Sequence, residues 1–234
     1  MAAIFRREFV SYFTSPIGYV FLAFFYLTAG FFFTLLSIQQ GTTELNSVFS
    51  MMMYVLIVLI PILTMRTFSE EKKNKTDQCL LTAPVSLGAI VMGKFLAAFL
   101  VYVLGVLIML VFAVIVSAIS SPDWLLIFGN ILGLILLGAA FISIGIFVSS
   151  LTENQIVSAV LSFAIMLILY LFSAIASIIP IDFIASIFTS LSFLSRYDGF
   201  TYGSFDLSNI LFFISVTAAF VFFTVRVLER RRWN

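Results

Sequence analysis

Six long apolar stretches, separated by short polar segments, dominate the hydrophobic pattern of the chain. A helix that crosses the hydrocarbon core of a bilayer needs about 20 mostly apolar residues, and each stretch meets or approaches that length. We therefore predict an all-α integral membrane protein with six transmembrane helices. The predicted spans cover residues 17–37, 48–65, 94–118, 125–148, 156–179 and 207–225.

A shorter amphipathic segment, residues 1–15, precedes the first span. Arg7 and Ser11 lie on one side of a helix drawn through it, and four aromatic residues form the other side: Phe5, Phe9, Tyr12 and Phe13. This pattern is typical of a helix that lies in the membrane interface. No small-residue cleavage site follows the first apolar run, so the pattern favours an interfacial helix over a cleaved signal peptide.

The composition agrees with a membrane protein. Of the 234 residues, 62% are hydrophobic and only 10% are charged, whereas a soluble domain has about half apolar and a quarter charged residues. The single cysteine, Cys79, excludes an intrachain disulfide. Histidine is absent, so the usual acid–base catalyst at neutral pH and the commonest metal ligand are missing.

The basic residues are distributed unevenly about the predicted membrane. Only one of the 12, Arg196, falls on one side. The others lie on the opposite side: Arg6, Arg7, Arg66, Lys72, Lys73, Lys75, Lys94, Arg226, Arg230, Arg231 and Arg232. Because Lys and Arg near span ends stay in the cytoplasm, we predict that both termini are cytoplasmic.

No charged residue lies in the middle of a predicted span. Charge inside a bilayer usually marks an ion pathway, a proton relay or a voltage sensor, so the pattern disfavours a proton-coupled transporter. The chain has neither an H-E-x-x-H zinc motif nor a G-x-x-x-x-G-K-[ST] phosphate loop. We therefore expect no metal, cofactor or catalytic site in this chain, no nucleic-acid partner, and an energy supply from another protein.

The polar segment between spans two and three, residues 66–93, contains a candidate short helix. Ser69 is a candidate N-cap, Glu70 and Glu71 follow in the first turn, and lysines come after them, as helix ends prefer. Such a charged helix, followed by the apolar pair Leu80-Leu81, suits docking into a groove of another protein. The spacing alone, however, favours the alternative of a solvated loop whose lysines only enforce the topology.

Four motifs occur in order along the chain. They read Tyr12-Phe13-Thr14-Ser15-Pro16-Ile17-Gly18-Tyr19, then Glu70-Glu71-Lys72-Lys73 with Leu80-Leu81-Thr82-Ala83-Pro84-Val85-Ser86, then Ser150-Leu151-Thr152-Glu153-Asn154-Gln155, and finally Arg226-Val227-Leu228-Glu229-Arg230-Arg231-Arg232-Trp233. Together they resemble the ABC-2 type permeases (type V exporter-like) and, within them, the gliding-motility-associated (GldF-like) branch. The resemblance covers essentially the whole chain as one permease domain, residues 1–234.

The resemblance implies two permease subunits, identical or related, above two ATPase domains that bind ATP and Mg²⁺, in the inner membrane of a bacterial or archaeal cell. An accessory subunit and membrane lipid are further expected partners. It implies a coupling helix that sits in a cleft of the ATPase, formed by Glu70, Glu71, Lys72, Lys73, Lys75, Thr76, Leu80 and Leu81. It also implies secondary contacts at Arg6, Arg7, Glu8, Glu153 and Asn154.

Three further features concern packing and gating. Gly129 and Gly133 have the G-x-x-x-G spacing of closely packed helices, and Pro61 is expected to kink the second span. The outer segment, residues 180–206, carries apolar residues at helical spacing. We predict either an outer gate or a helix packed on its own bundle for the face that contains Ile184, Phe188 and Leu191.

The leading hypothesis is a permease half that dimerises and is driven by a separate ATPase. Two other classes also fit the sequence. One is a membrane scaffold that couples an ATPase to an extracytoplasmic partner without transport, and the other is a passive channel that needs no ATPase. The short outer loops offer little docking surface, which favours transport over the scaffold.

Overall fold

A computed structural model describes residues 1–42, 45–76, 85–118, 122–203 and 206–233, and the regular structure in these ranges is helical throughout. The helices are α1 (Ala2–Thr14), α2 (Pro16–Phe33), α3 (Asn46–Thr64), α4 (Ser69–Lys73), α5 (Leu87–Val106), α6 (Ile108–Ser117), α7 (Trp124–Leu151), α8 (Gln155–Ile178), α9 (Asp182–Leu191), α10 (Phe193–Thr201) and α11 (Leu207–Trp233). A short π-helix, Thr34–Ile38, extends α2. The predicted all-α class is confirmed.

Six helical segments in the described ranges are long and apolar enough to cross a membrane, which confirms the predicted number. They are Pro16–Ile38, Asn46–Lys73, Leu87–Ser117, Trp124–Leu151, Gln155–Ile178 and Leu207–Arg231. The second of these continues through a turn into the short helix α4. Pro61 lies inside α3, which continues for about one turn beyond it before it ends at Thr64.

The third span begins earlier than its hydropathy predicts. The predicted start was Lys94, but α5 begins at Leu87 because Ser86 caps it, with the Ser86 hydroxyl accepting a hydrogen bond from the Ala89 N–H at 3.4 Å. The segment predicted as a polar loop, residues 66–93, therefore includes the first turns of a transmembrane helix. Lys94 lies about two turns inside that helix, where its charge must find partners within the protein.

Spans two and four form the centre of the bundle. Their most apolar windows are 61% and 67% buried, compared with 17% for span five and 11% for span six. Much of the exposed apolar surface therefore lies on α8 and α11, and also on α2, whose span is 28% buried. In a membrane this surface faces lipid or another subunit, since no water is available to solvate backbone or side chains there.

The two ends of the bundle are built differently. Helices α1 and α4 meet the start of α5 and the end of α7 at one end, which carries most of the basic residues and is called the basic end. Helices α9 and α10 form the opposite end. Helix α1 packs closely on α5, because a Cβ added at Gly93 would lie 3.0 Å from Ile4 Cγ2.

Candidate functional site

The short helix α4 at the basic end is capped by a residue from a different helix. Sequence analysis proposed Ser69 as its cap, and this was wrong: the Ser69 hydroxyl donates back to the Met65 carbonyl. Instead, Ser149 Oγ, near the end of α7, accepts hydrogen bonds from the N–H groups of Phe68 at 3.0 Å and Ser69 at 3.2 Å. Ser149 thereby satisfies N–H groups that a helix start leaves without partners.

Lys72 fixes α4 to the same helix by a second contact. Its side chain is buried, and its Nζ donates a hydrogen bond to the Ser150 carbonyl. Ser150 lies in the last turn of α7, where helix carbonyls have no partner in their own helix and favour a positive charge. Lys72 therefore stabilises the C-terminal end of the fourth span, facing into the protein.

Four charged side chains form an ion-pair cluster (Arg7, Glu8, Glu71 and Lys94) that joins α1, α4 and α5. Lys94 Nζ lies 2.8 Å from Glu71 Oε1 and 3.2 Å from Glu8 Oε1. Arg7 Nη2 lies 2.6 Å from Glu8 Oε1 and 3.0 Å from Glu71 Oε1. Each carboxylate thus contacts both cations, so three separate helices are fixed to one another.

Burial makes the ion-pair cluster sensitive to the loss of any member. Lys94 is only 1% exposed, and its Nζ also donates to the Thr67 carbonyl at 2.9 Å, so all three of its hydrogens have acceptors. Burial of the Glu8 carboxyl acts to raise its pKa, but attraction to Lys94 and the hydrogen bond from Arg7 outweigh this effect. The net result is a pKa of Glu8 below its ordinary value, so the carboxyl is ionised at neutral pH.

The C-terminal end of α4 has the hydrogen bonds of a Schellman motif. Lys75 adopts a left-handed conformation, with φ of 57°. Its N–H donates to the Lys72 carbonyl at 3.1 Å, and the Thr76 N–H donates to the Glu71 carbonyl at 2.9 Å. These bonds satisfy the last carbonyls of the helix and turn the chain so that residues 73–76 are exposed.

The predicted coupling residues therefore fall into different positions. Glu71 and Lys72 face the bundle, whereas Lys73, Lys75 and Thr76 are exposed. Glu70 is partly exposed and pairs with Arg66 at 2.7 Å. Leu80 and Leu81 lie outside the described residues.

The predicted secondary contacts also have different environments. Arg6 is exposed on α1, whereas Arg7 and Glu8 belong to the ion-pair cluster. Glu153 is exposed and lies 3.7 Å from Arg231 on the last helix. Asn154 caps α8, because its Oδ1 accepts from the Ile156 N–H at 2.9 Å. Asn154 therefore has a structural role in this turn.

At the opposite end, the three predicted gate residues lie on α9. Ile184 and Leu191 are exposed, at 37% and 47%, and the Phe188 ring packs edge-on against Phe172 of α8 at 5.2 Å. Gly129 and Gly133 are both buried in α7. A Cβ added at Gly133 would lie 2.8 Å from Phe200 Cγ of α10, so this glycine permits a close contact within one subunit.

Sequence reasoning missed Ser149, Ser150 and the central position of Lys94. The sequence did contain a signal for Lys94. A candidate capping residue, Ser86, lies upstream of it, so the helix can begin before Lys94. A lysine inside an apolar helix needs an acidic partner. The two serines carried no such signal. Their contacts with α4 join residues about 80 positions apart, which local spacing does not indicate.

The chain matches the model of a protein family over residues 2–233, nearly its whole length. That family is described as ABC-2 family transporter protein. No curated protein matches the chain.

Proposed function

Because the chain belongs to the ABC-2 family of transporter proteins, we propose that it is a transmembrane permease subunit powered by a separate ATPase. Two such subunits, identical or related, form the translocation path, and the partner ATPase binds ATP and Mg²⁺. The concentration of basic residues supports a cytoplasmic basic end, with the opposite end outside the inner membrane of a bacterial or archaeal cell. The order of the four motifs supports the gliding-motility-associated branch.

The attachment of α4 to the spans supports its role as the coupling helix. A helix that transmits the motion of an ATPase has to move together with the spans, because a loosely attached helix would shift without moving them. Ser149 and Lys72 fix α4 to the end of span four, and Glu71 fixes it to Lys94 of span three. A force on α4 is therefore passed to two transmembrane helices through direct contacts.

The exposed end of α4 is the part available for the ATPase. Lys73, Lys75 and Thr76 are exposed at this end, and we assign the docking contact to them. Glu71 and Lys72 act as positioning residues, because they bind the permease itself. In this proposal only some of the charged residues of α4 contact the ATPase. The docking residues and the positioning residues can therefore be tested separately.

Charge reversal of the exposed lysines tests this assignment. In the double variant Lys73→Glu with Lys75→Glu, we expect the ATPase recovered with the permease in mild detergent to fall by about tenfold, because the variant reverses the charge that the proposed contact presents to the ATPase. The matched control is Arg226→Glu with Arg230→Glu, which changes two exposed cations of α11 by the same charge. Equal recovery of the ATPase with both double variants would overturn the docking assignment.

The α9 face at the opposite end is our candidate outer gate. Its support is the partial exposure of Ile184 and Leu191, which leaves part of each apolar side chain uncovered in a single subunit. If two subunits bring these faces together at the outer mouth, Leu191→Cys permeases should form disulfide-linked dimers under mild oxidation. The control Leu125→Cys, at another exposed apolar position near the same end, should not.

A further inference from the structure

A polar cavity of about 370 Å³ lies beside α1 at the basic end, between that helix, the segment around α4 and Lys94. Its volume falls within the roughly 300–1,000 Å³ range of small-molecule sites. Its lining is polar or charged nearly throughout: Arg7, Glu8, Ser11, Tyr12, Ser15, Arg66, Thr67, Glu70, Glu71, Asn74, Thr76 and Lys94. The part of a ligand that enters the cavity would therefore meet polar and charged groups, together with the apolar parts of these side chains.

The charges around the cavity balance, with three acidic and three basic side chains in its lining. A net anion would face Glu8, Glu70 and Glu71, and a net cation would face as many basic groups. Burying charge against like charge is costly, so a ligand with both signs and no net charge fits this lining best.

Both kinds of binding group remain available. Glu8 uses Oε1 for its ion pairs and Glu70 uses Oε2, so each has a second carboxylate oxygen that can accept from a donor. The ion pairs of Arg7 run through Nη2 and that of Arg66 through Nε, which leaves further N–H groups on each guanidinium. Lys94, by contrast, has all its hydrogens engaged.

We propose that this cavity binds the headgroup of a zwitterionic aminophospholipid, with its ammonium group at Glu8 and Glu70 and its phosphate at Arg7 and Arg66. Guanidinium groups bind phosphate oxygens well. A primary ammonium has N–H groups that can donate hydrogen bonds to the remaining carboxylate oxygens of Glu8 and Glu70. A quaternary choline group has no such donor, and a glycerol headgroup has no cation. The cavity should therefore distinguish ethanolamine headgroups from both.

The position of the cavity indicates a lipid as the source of this chemistry. The polar face of α1, with Arg7 and Ser11, lines the cavity, and another face of the same helix carries a row of aromatic residues, with Phe5 and Phe9 ring centres 6.0 Å apart. Helices of this kind lie at the depth of lipid headgroups. The inference rests on the proposed placement of the basic end at the cytoplasmic surface. A bound headgroup would contact α1 and the coupling segment together, so lipid composition would affect the coupling contact.

Native mass spectrometry of the purified full-length permease tests the proposal. The protein is exposed to equal amounts of phosphatidylethanolamine, phosphatidylcholine and phosphatidylglycerol with the same acyl chains. We expect at least fivefold greater retention of phosphatidylethanolamine than of either other lipid. Equal retention of the three lipids by the unaltered protein would overturn the proposal, and this comparison requires no variant to fold.

Two variants locate the site. Arg66→Gln should reduce the preference for phosphatidylethanolamine to less than twofold, because it removes a phosphate partner. The control Arg226→Gln breaks a comparable surface pair with Glu229, of 2.7 Å, outside the cavity, and should leave the preference unchanged. An unchanged preference in Arg66→Gln would show that the lipid binds elsewhere and would overturn the assignment.

Free phosphoethanolamine distinguishes the lipid from a soluble ligand of the same chemistry. If free phosphoethanolamine binds the unaltered protein while no lipid is selectively retained, the lipid is not the ligand and the proposal is wrong. Recovery of the ATPase is measured on the same preparations. If no ATPase is recovered with the unaltered permease, the proposed function is contradicted, but the comparison of the three lipids remains valid. A failure of the proposed function can therefore be distinguished from a failure of the lipid proposal.

Discussion

At the basic end, α4 is fixed by hydrogen bonds and ion pairs, whereas at the opposite end α10 is held mainly by aromatic packing. Ser149 and Lys94 bind α4 through atoms at 2.8–3.2 Å. Helix α10 instead buries Phe193 and Phe200, and the Phe193 ring stacks on Phe141 of α7 at 5.3 Å. Arg196, also in α10, adds hydrogen bonds to Asn209 and Ser208 of α11 at 3.1 and 3.0 Å.

These two kinds of contact respond differently to displacement. Hydrogen bonds weaken steeply when their distance or angle changes, so α4 is held in one position relative to spans three and four. Apolar contact is non-directional, so the aromatic packing of α10 tolerates small displacements, whereas its Arg196 hydrogen bonds restrict movement relative to α11. The comparison suits a transporter that receives force at the basic end and changes shape at the opposite end.

The largest expected effect follows from removing the central cation of the basic end. Lys94→Met removes the buried cation shared by Glu8 and Glu71 and leaves them only the exposed Arg7, and breaking a buried pair in this way costs about 3–5 kcal/mol. The free energy of unfolding, followed by thermal denaturation in detergent, should fall by that amount. The exposed control Lys73→Met should change it by less than about 0.5 kcal/mol.

A rescue variant separates lost charge balance from lost packing in that experiment. Adding Glu8→Gln and Glu71→Gln to Lys94→Met removes the unpaired carboxylates and should recover much of the stability, since apolar or neutral replacements of a whole buried ion pair are often tolerated. No recovery would mean that Lys94 acts by filling space, and the contrast between the two ends would then be wrong.

The next effect concerns packing at the opposite end. Gly133→Ala places a Cβ 2.8 Å from Phe200 Cγ, and overpacking of this kind costs about 1–3 kcal/mol. Because the contact is apolar, we expect α10 to shift and the loss to be independent of pH. Gly30→Ala on α2 is the control, since an added Cβ there meets no atom within 4 Å. A pH-dependent loss in Gly133→Ala would contradict the assignment of apolar packing to this end.

Acidification provides a smaller effect that is specific to the basic end. The pKa of Glu8 lies below its ordinary value of 4.5, so its contribution to stability is fully present above that pH and is lost as the pH falls below it through the lowered pKa. The unaltered protein should therefore lose more stability below pH 4.5 than Glu8→Gln does. Equal losses in thermal denaturation would show that the Glu8 carboxyl does not contribute.

Hydropathy predicted the six spans because lipid requires long apolar helices, but it misplaced the start of the third. The predicted start was Lys94, whereas the helix extends back to its cap at Ser86. The orientation of α4 was beyond prediction for another reason. Five residues are too few for a helical period to show which face is buried, and the contacts that decide it come from Ser149 and Lys94, distant in sequence.

The smallest expected effect on stability occurs at Lys75, where it sharpens the division between positioning and docking residues. Glycine adopts the left-handed conformation of Lys75 without strain, so Lys75→Gly should keep the hydrogen bonds that end α4 and change the free energy of unfolding by less than about 1 kcal/mol. It nevertheless removes an exposed cation, so recovery of the ATPase should fall. Lys75→Val loses the same charge but strains the helix end, because a β-branched residue disfavours positive φ. Equal stability of the Lys75→Gly and Lys75→Val variants would contradict the left-handed end of α4. If the amount of ATPase recovered with Lys75→Gly is unchanged, Lys75 shapes the helix end without contacting the partner.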